Sequence, residues 1–292
     1  MSVDVAIEVQ ARLGEGPRWD ARSQSLLWVD IHGRALHIFD PATGRDRAIA
    51  LDNRPGAAAP MSDGRILVAL ADRLVALALE DESLETLAVL PHGPDMRTND
   101  GACDPAGRFW VGSMAVNEAS DKAAFYRFAD GVLEVVLDRV SLSNGLGWSP
   151  DARLFYYIDS PTLAIDVFDF DLAAGTATNR RHFVEIEPAA GIPDGLAVDD
   201  EGCIWVALWG GYAVRRYTPD GRLDRVVEVP AEHVTACAFG GADGSSLFIT
   251  TAKPDGRVYV TEPGIGGPPA NVFQVEPERS TAPSDAEPTS AR

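Results

Sequence analysis

Residues 193–207 read PDGLAVDDEGCIWVA: a polar Asp-Gly pair, a short apolar strand, an acidic turn ending in glycine, and a second apolar strand. The same order recurs at residues 14–30, 99–112 and 144–159, where a polar residue precedes two apolar runs separated by a turn. A supersecondary unit repeated along a chain in this way is typical of a solenoid or a propeller. The repeat, rather than any single residue, therefore indicates the architecture.

The spacing of the second apolar strands indicates six blades. Their central residues follow one another at intervals of roughly 39 to 48 residues, the length of a four-stranded propeller blade. These central residues are Trp28, Leu67, Trp110, Tyr157, Trp205 and Phe248. The apolar runs are separated by Gly, Pro and Asp, and no long helical periodicity interrupts them. The sequence therefore predicts an all-β fold, a six-bladed β-propeller.

A single propeller domain is expected over residues 1–277. An open propeller would expose a sheet edge. We therefore expect a strand within residues 3–9 to pair with one of two late apolar runs, residues 256–260 or 271–275. Residues 278–292 are rich in Ser, Thr, Ala and Pro and have little to bury, so they are expected to form a disordered tail.

The composition excludes several classes of function. The 292 residues carry a net charge of −19, with 46% hydrophobic and 24% charged residues, as in an ordinary globular protein. Nucleic acids and anionic membranes are not expected as partners, because binding them requires clustered Lys and Arg. The 3 cysteines have no C-x-x-C spacing, which predicts neither a disulfide framework nor a zinc site and fits a reducing compartment. With no basic leader and no long apolar run, a cytoplasmic location is expected.

Polar side chains recur at nearly one position of the repeat, namely Glu15, Asn99, Asn144 and Asp194. The first strand of each blade lines the central channel, so residues at the start of these strands should meet at one mouth of it. Thr235, which precedes its aromatic residue by the same spacing as Glu15, is expected as a fifth wall. Two carboxylates and two amides form a hard-oxygen donor set suited to Ca²⁺, Mg²⁺ or Mn²⁺. A divalent ion there could polarise a carbonyl or activate water.

The same dipeptides have a structural interpretation. Asp-Gly and Asn-Gly are common turn dipeptides, and a single one is more often a turn than a ligand. The shared register of four repeats favours a functional interpretation for Glu15, Asn144 and Asp194, followed by Asn99. Asp100, next in the chain, could instead cap a turn.

Arg97 lies two residues before Asn99, so in an extended segment both side chains face the same way. A cation there could bind a polyol or a carboxylate through forked hydrogen bonds. A salt bridge on a loop explains its position equally well. No signature of serine hydrolysis, nucleotide hydrolysis or dinucleotide binding is present. Histidines show no metal-type pairing and are interpreted as solvated or packing residues: His32, His37, His92, His182 and His233.

Several motifs resemble the regucalcin/gluconolactonase family of six-bladed propellers, which includes bacterial sugar lactonases. They are the LGEGP, RTNDG, SNGL, YYIDS, IPDG and CAFGG motifs that begin at residues 13, 97, 143, 156, 192 and 237. The resemblance implies a divalent metal held by Glu15, Asn144 and Asp194, with Ca²⁺ the first expectation and Zn²⁺, Mg²⁺ or Mn²⁺ the alternatives. It also implies that Arg97 and Asn99 bind substrate and that Asp194 is the catalytic acid or base.

The implied activity is hydrolysis of an aldonolactone of the glucono-, xylono-, arabinono- or galactonolactone type. Animal regucalcins carry a glutamate pair at the point where this chain reads Asn117-Glu118, which puts a substrate contact from that loop in question. Two other functions stay open: a calcium-binding regulator without lactonase turnover, and a related metal-dependent esterase or phosphotriesterase.

Overall fold

The computed structural model describes residues 2–275, and these form six four-stranded antiparallel sheets arranged as the blades of a propeller. This part of the chain contains no α-helix, only the short 3-10 turns Ser160–Thr162 and Pro188–Ala190. The six-bladed β-propeller expected from the repeat is thereby confirmed. No helix in these residues is long and apolar enough to cross a membrane. The expected tail, residues 278–292, lies outside the described residues.

Each blade begins with its innermost strand, and the first strands of neighbouring blades contact one another around the channel. Blades 1 to 3 consist of β2 (Gly14–Asp20), β3 (Ser25–Asp30), β4 (Ala35–Asp40), β5 (Arg45–Ala50); β6 (Pro55–Pro60), β7 (Ile66–Leu70), β8 (Arg73–Leu77), β9 (Leu84–Val89); and β10 (Met96–Cys103), β11 (Phe109–Ala115), β12 (Ala123–Ala129), β13 (Val132–Val140). Blades 4 to 6 consist of β14 (Ser143–Trp148), β15 (Leu154–Asp159), β16 (Ala164–Asp171), β17 (Thr176–Glu185); β18 (Ile192–Val198), β19 (Ile204–Trp209), β20 (Ala213–Tyr217), β21 (Leu223–Glu228); and β22 (Val234–Gly240), β23 (Ser246–Thr251), β24 (Val258–Thr261), with the N-terminal strand β1 (Asp4–Ile7) at the outside.

The hydrophobic core is divided into clusters that lie between adjacent blades. Successive residues of a strand point to opposite faces of its sheet, so each second strand packs on both neighbouring blades. On β11, for example, Phe109 and Val111 join the cluster with blade 2, whereas Trp110 joins the cluster with blade 4. This two-sided burial explains why the second strands are continuously apolar rather than alternating.

The acidic turns of the repeat stabilise the blades from within. The fully buried carboxylates of Asp104 and Asp199 each accept a hydrogen bond from a tryptophan Nε1, of Trp110 and Trp205 respectively, at 2.9 Å. Each also accepts one from an arginine Nε and bonds to backbone N–H groups of its own turn. The recurring Asp-turn-Trp spacing is therefore a structural feature that orients the indole.

The ring closes through the first strand of the chain. Strand β1 pairs antiparallel with β24, which confirms the expected closure and selects the earlier of the two late runs. The later run, residues 271–275, is not a strand; Phe273 makes a single bridge to Met61 and stacks on Phe128. Blade 6 is tied to blade 1 a second time by the Thr235 hydroxyl, which donates to the Gly14 carbonyl oxygen at 2.6 Å.

Candidate functional site

The inner strands share an irregularity at the positions that the repeat singled out. In each blade the register between the first and second strands shifts near the start of the first strand. The residues at these shifts are Glu15, Gly56, Asn99, Asn144, Asp194 and Thr235. A β-bulge re-aims a side chain and ends regular pairing, which is why bulges often lie beside functional sites.

The glycines that follow Asn144 and Asp194 do not form hairpin turns. A Cβ at Gly145 would lie 2.6 Å from the carbonyl oxygen of Asp194, and one at Gly195 would lie 2.4 Å from the Cβ of Ala236. Neighbouring inner strands therefore approach so closely that only glycine fits between them. The turn interpretation of these dipeptides is wrong, because both lie within strands that line the channel.

A cavity of about 410 Å³ opens at this mouth of the channel. It is lined by all the residues that the sequence assigned to metal and substrate binding, and all of them are buried: Glu15, Arg97, Asn99, Asn144 and Asp194. Thr235 does not line it, because its hydroxyl bonds to Gly14 and Thr250 instead. The sixth equivalent position is Gly56, which offers no side chain. Four of the six blades thus supply the polar residues of the channel mouth.

A chain of hydrogen bonds fixes the two amides. Arg97 Nη1 donates to Asn99 Oδ1 at 2.7 Å, and Asn99 Nδ2 donates to Asn144 Oδ1 at 2.8 Å. Asn144 Nδ2 donates to Ser160 Oγ at 2.8 Å, and Ser160 Oγ donates to the Pro193 carbonyl oxygen at 2.6 Å. The chain crosses blades 3, 4 and 5, so it holds these side chains in one arrangement. Asn144 Oδ1 keeps a second lone pair available for a ligand.

The two carboxylates at the mouth are poorly stabilised as anions. Burial, followed by the charge of Asp100, raises the pKa of Glu15 to about 8, although Gly16 N–H donates to its Oε2 at 3.1 Å. Burial, followed by the charges of Glu15 and Asp100, holds the pKa of Asp194 well above its usual range. The buried Oδ1 of Asp194 has no hydrogen-bond partner among the described residues. Such an orphaned acceptor is costly and requires a ligand or a proton.

Beneath these carboxylates lies a buried ion pair that the sequence did not predict. Asp100 is buried, and its Oδ1 accepts hydrogen bonds from Gly101 N–H at 2.7 Å and from Arg18 Nη2 at 3.1 Å. Asp100 is thus not a turn cap but part of the channel charge. Burial still raises its pKa, although Arg18 opposes this effect.

The donor set fits a divalent cation. Glu15 and Asp194 offer anionic oxygens, Asn144 offers a neutral carbonyl oxygen, and the Oδ1 of Asp194 has no hydrogen-bond partner within residues 2–275. Hard oxygen ligands of this kind suit Ca²⁺, Mg²⁺ or Mn²⁺. No group of three or more His, Cys, Asp or Glu side chains in residues 2–275 has the geometry to hold a metal. The candidate ligand set has two such residues, Glu15 and Asp194, and is completed by the amide of Asn144.

Arg97 presents unused donors to the cavity. Only its Nη1 is hydrogen-bonded within the described part of the chain, to Thr98 O and Asn99 Oδ1. Burial lowers its pKa to about 10, so the guanidinium stays charged at neutral pH. Its remaining N–H groups can therefore donate to oxygen atoms of a ligand.

The loop after β11 brings Glu118, but not Asn117, to the cavity wall. Glu118 lines the cavity, and its charge acts on Arg97. Asn117 does not line it; its Oδ1 accepts the Ala119 N–H at 3.2 Å and so shapes the loop. Glu118, the second residue of the pair, is therefore the one that faces the site.

Other wall residues were not found from the sequence. Trp209 and His233 stack with ring centroids 4.1 Å apart, and the exposed His32 also lines the cavity. Ser160 belongs to the YYIDS motif but had no predicted role. A signal for Trp209 existed, because it ends a second strand at the same edge as the functional side chains, whereas the loop residues carry no repeat register.

Comparisons with known proteins agree with the fold and with the motifs. The family described as SMP-30/Gluconolactonase/LRE-like region matches residues 13–253. A Bacillus subtilis protein named as a sugar lactone lactonase, YvrE, is 38% identical over 255 residues, 86% of this chain and 87% of that protein. Regucalcin of Danio rerio is 37% identical over 272 residues, 91% of this chain and 92% of that protein. The crystal structure of a calcium-binding protein, regucalcin, from Agrobacterium tumefaciens superposes with a TM-score of 0.91 at 30% identity, covering 94% of this chain and 98% of that one.

Proposed function

The chain belongs to the SMP-30/gluconolactonase family, and we propose that it hydrolyses a sugar aldonolactone to the aldonic acid with the help of one divalent metal ion. The observation that carries the proposal is the cavity where two buried, destabilised carboxylates, two hydrogen-bonded amides and a buried arginine converge. The candidate substrates are the glucono-, xylono-, arabinono- and galactonolactones.

We assign the metal to Glu15, Asn144 and Asp194, with Ca²⁺ as the first candidate and Zn²⁺, Mg²⁺ or Mn²⁺ as alternatives. These residues supply the anionic charge and the unpartnered oxygen that a hard cation requires. When bound, such an ion polarises the lactone carbonyl and stabilises the negative charge that develops on its oxygen.

Arg97 and Asn99 are assigned to substrate binding. Their mutual hydrogen bond sets the orientation of the guanidinium, whose free N–H groups then meet hydroxyl oxygens of the sugar. The rings of Trp209 and His233 form an apolar part of the wall on which one face of the sugar can rest.

Asp194 is assigned as the acid/base. Its carboxylate accepts a proton from the attacking water while the new bond to the carbonyl carbon forms. It returns that proton to the ring oxygen as the carbon–oxygen bond of the ring breaks, so the proton balance closes within one turnover. The ionised form of Asp194 that a bound metal requires is also the form that accepts the first proton.

Calcium binding without turnover is the second candidate. It is favoured by the similarity to the Agrobacterium tumefaciens regucalcin, a calcium-binding protein, and by the hard-oxygen character of the site. The two functions share the site and differ in whether a lactone is opened there.

The test measures acid release from each of the four lactones in weakly buffered solution, after subtraction of spontaneous hydrolysis. Chelator-stripped protein is assayed alone and with added Ca²⁺, Mg²⁺, Mn²⁺ or Zn²⁺. We expect the rate to vanish on stripping and to return with one of these ions. Ca²⁺ binding by folded protein, with no rate above background for any lactone or ion, would reject the lactonase and leave the calcium-binding protein.

A further inference from the structure

A cluster of cationic side chains lies at the outer edge of the candidate site. Arg12, His32, Arg34 and Arg54, together with Gly33, line a hollow of about 570 Å³. Arg12, His32 and Arg54 also line the cavity that holds the carboxylates, so the two spaces adjoin each other at these three residues. This rim is formed by loops of blade 1 and by the segment that leads into β6.

The arginines of this rim have no anionic partners within residues 2–275. None of Arg12, Arg34 and Arg54 forms an ion pair or donates a side-chain hydrogen bond there. By contrast, most arginines of the described chain pair with a carboxylate, and Arg216 alone pairs with Asp199, Glu201 and Asp224. Three neighbouring arginines without an ion pair in residues 2–275 make this edge of the cavity locally positive in a chain whose net charge is −19.

The backbone that carries the rim arginines is held in place by hydrogen bonds that do not involve the guanidinium groups. The buried carboxylate of Asp30 accepts the N–H groups of Arg12 at 2.9 Å, Leu13 at 3.0 Å and Gly33 at 2.8 Å. It thereby joins the segment that carries Arg12 to the turn that carries His32 and Arg34. Asn53 Oδ1 accepts the Arg54 N–H at 2.9 Å. The loops are thus preorganised while their side chains stay available.

The positive charge of the rim extends toward the reaction centre. Burial lowers the pKa of His32, and the charges of Arg97, Arg54 and Arg12 lower it further, against the opposing effect of Asp30. The charge of Arg54 also helps to lower the pKa of Arg97, after burial. An anion bound between Arg97 and the rim is therefore attracted by several positive charges at once.

We propose that the substrate is an anionic sugar lactone, carrying a carboxylate or a phosphate at the end of the chain remote from the lactone carbonyl, and that Arg12, Arg34 and Arg54 bind that group. This inference rests on the proposed lactonase function and specifies its substrate class. Guanidinium groups match both anions through paired N–H donors, and they stay charged at any pH that the protein survives. The lactone ring then lies over Glu15 and Asp194 while its charged end reaches the rim.

The test compares kcat/KM for gluconolactone, glucarolactone and 6-phosphogluconolactone, which differ in carrying a hydroxyl, a carboxylate or a phosphate at the far end. We expect one charged lactone to exceed the neutral one by tenfold or more, with the advantage shrinking as salt is raised. The charged lactone that is preferred identifies the source of the anion. R54Q should lower the ratio of charged to neutral kcat/KM about tenfold, and R12Q and R34Q should lower it in the same direction.

The matched control is R222Q, because Arg222 is exposed in the turn between β20 and β21 at the opposite face and forms no ion pair within the described residues. It should leave the ratio unchanged. Equal kcat/KM for all three lactones, or a ratio that R54Q does not change, would overturn the anion site while leaving the lactonase in place.

A binding experiment separates this outcome from failure of the lactonase itself. Calorimetry measures the affinity of the intact protein for glucarate, 6-phosphogluconate and gluconate, with no turnover required. We expect one of the two acids that carry a second anionic group, glucarate or 6-phosphogluconate, to bind at least about tenfold more tightly than gluconate, and R54Q to remove the difference. If no lactone is hydrolysed, this preference alone would support the anion site, and its absence would overturn the site as well.

Discussion

Binding of a divalent ion to the metal-free protein should release protons, because Glu15 and Asp194 must be ionised to act as ligands. A carboxyl with a pKa of about 8, as for Glu15, is about 90% protonated at pH 7, half protonated at pH 8 and about 10% protonated at pH 9. Asp194, whose pKa is also raised, adds to the release, and the two titrate as a coupled pair. We therefore expect at least about 0.9 proton released per ion at pH 7. The apparent affinity should rise at least roughly tenfold per pH unit below pH 8 and level off once both carboxyls are ionised.

The assay is calorimetric titration of stripped protein with Ca²⁺ in two buffers of different ionisation enthalpy, repeated between pH 6 and pH 9. The difference between buffers gives the number of protons released. D100N removes the charge that is the second cause of the raised Glu15 pKa, so its proton release should decline at lower pH than in the wild type. Proton release near zero at pH 7, with an affinity that does not change with pH, would refute the assigned ligands.

The same groups make the metal-free fold sensitive to pH. The folded pKa of Glu15, about 8, lies above its ordinary value of 4.5, so the protonated form is favoured by folding. Its stabilising contribution is complete below about pH 4.5 and is lost as the pH rises through 8, at a cost on the order of a few kcal/mol. Thermal unfolding of stripped protein should therefore show a falling Tm over this range, and saturating Ca²⁺ should remove the fall. A Tm difference between stripped and loaded protein that is the same at pH 5.5 and pH 8.5 would contradict this assignment.

Three further substitutions have defined outcomes. G56A should lower the free energy of unfolding by about 1–3 kcal/mol and lower kcat/KM, because the new Cβ would lie 2.6 Å from the carbonyl oxygen of Asn99. A variant of unchanged Tm and activity would show that the inner strands can move apart at no cost. D199N should cost roughly 3 kcal/mol in chemical denaturation by removing the buried charge opposite Arg216, with kcat unchanged because the pair lies away from the cavity. R97K should raise KM about tenfold with a smaller effect on kcat, since an ammonium cannot reproduce the paired N–H donors of a guanidinium. An unchanged KM would show that Arg97 does not bind substrate.

The sequence predicted the closed propeller and the position of the site residues along the channel. Both follow from the equal spacing of equivalent residues in the repeats. Equal spacing to an aromatic residue placed Glu15, Asn144 and Asp194 at one level of the channel, and the structure brings them into one cavity. Register does not give the direction of a side chain, which a bulge and its neighbours determine. Thr235 shares the level of Glu15 but turns its hydroxyl to the Gly14 carbonyl oxygen, so the expected fifth wall is wrong.

Residues outside the repeat could not be placed from the sequence. Arg12, Arg34 and Arg54 come from connecting loops whose lengths and turns differ from blade to blade, so no spacing relates them. The Asp30 carboxylate, through three backbone N–H groups, brings the segments that carry Arg12 and Arg34 together. Asp100 likewise resembles a turn residue in its Asn-Asp-Gly context, and only its contact with Arg18 across the channel shows otherwise.

The most direct test of Asp194 as the catalytic residue compares two Asp-Gly dipeptides of the same chain. Asp194 lies in the channel with an unpartnered oxygen, whereas Asp220 lies exposed in the turn between β20 and β21. With metal supplied at saturation, D194N should lower kcat for the preferred lactone at least about 100-fold while the Tm shows a folded protein, and D220N should retain wild-type kcat. A folded D194N variant that turns over lactone at the wild-type rate would contradict the assignment of this cavity as the catalytic site.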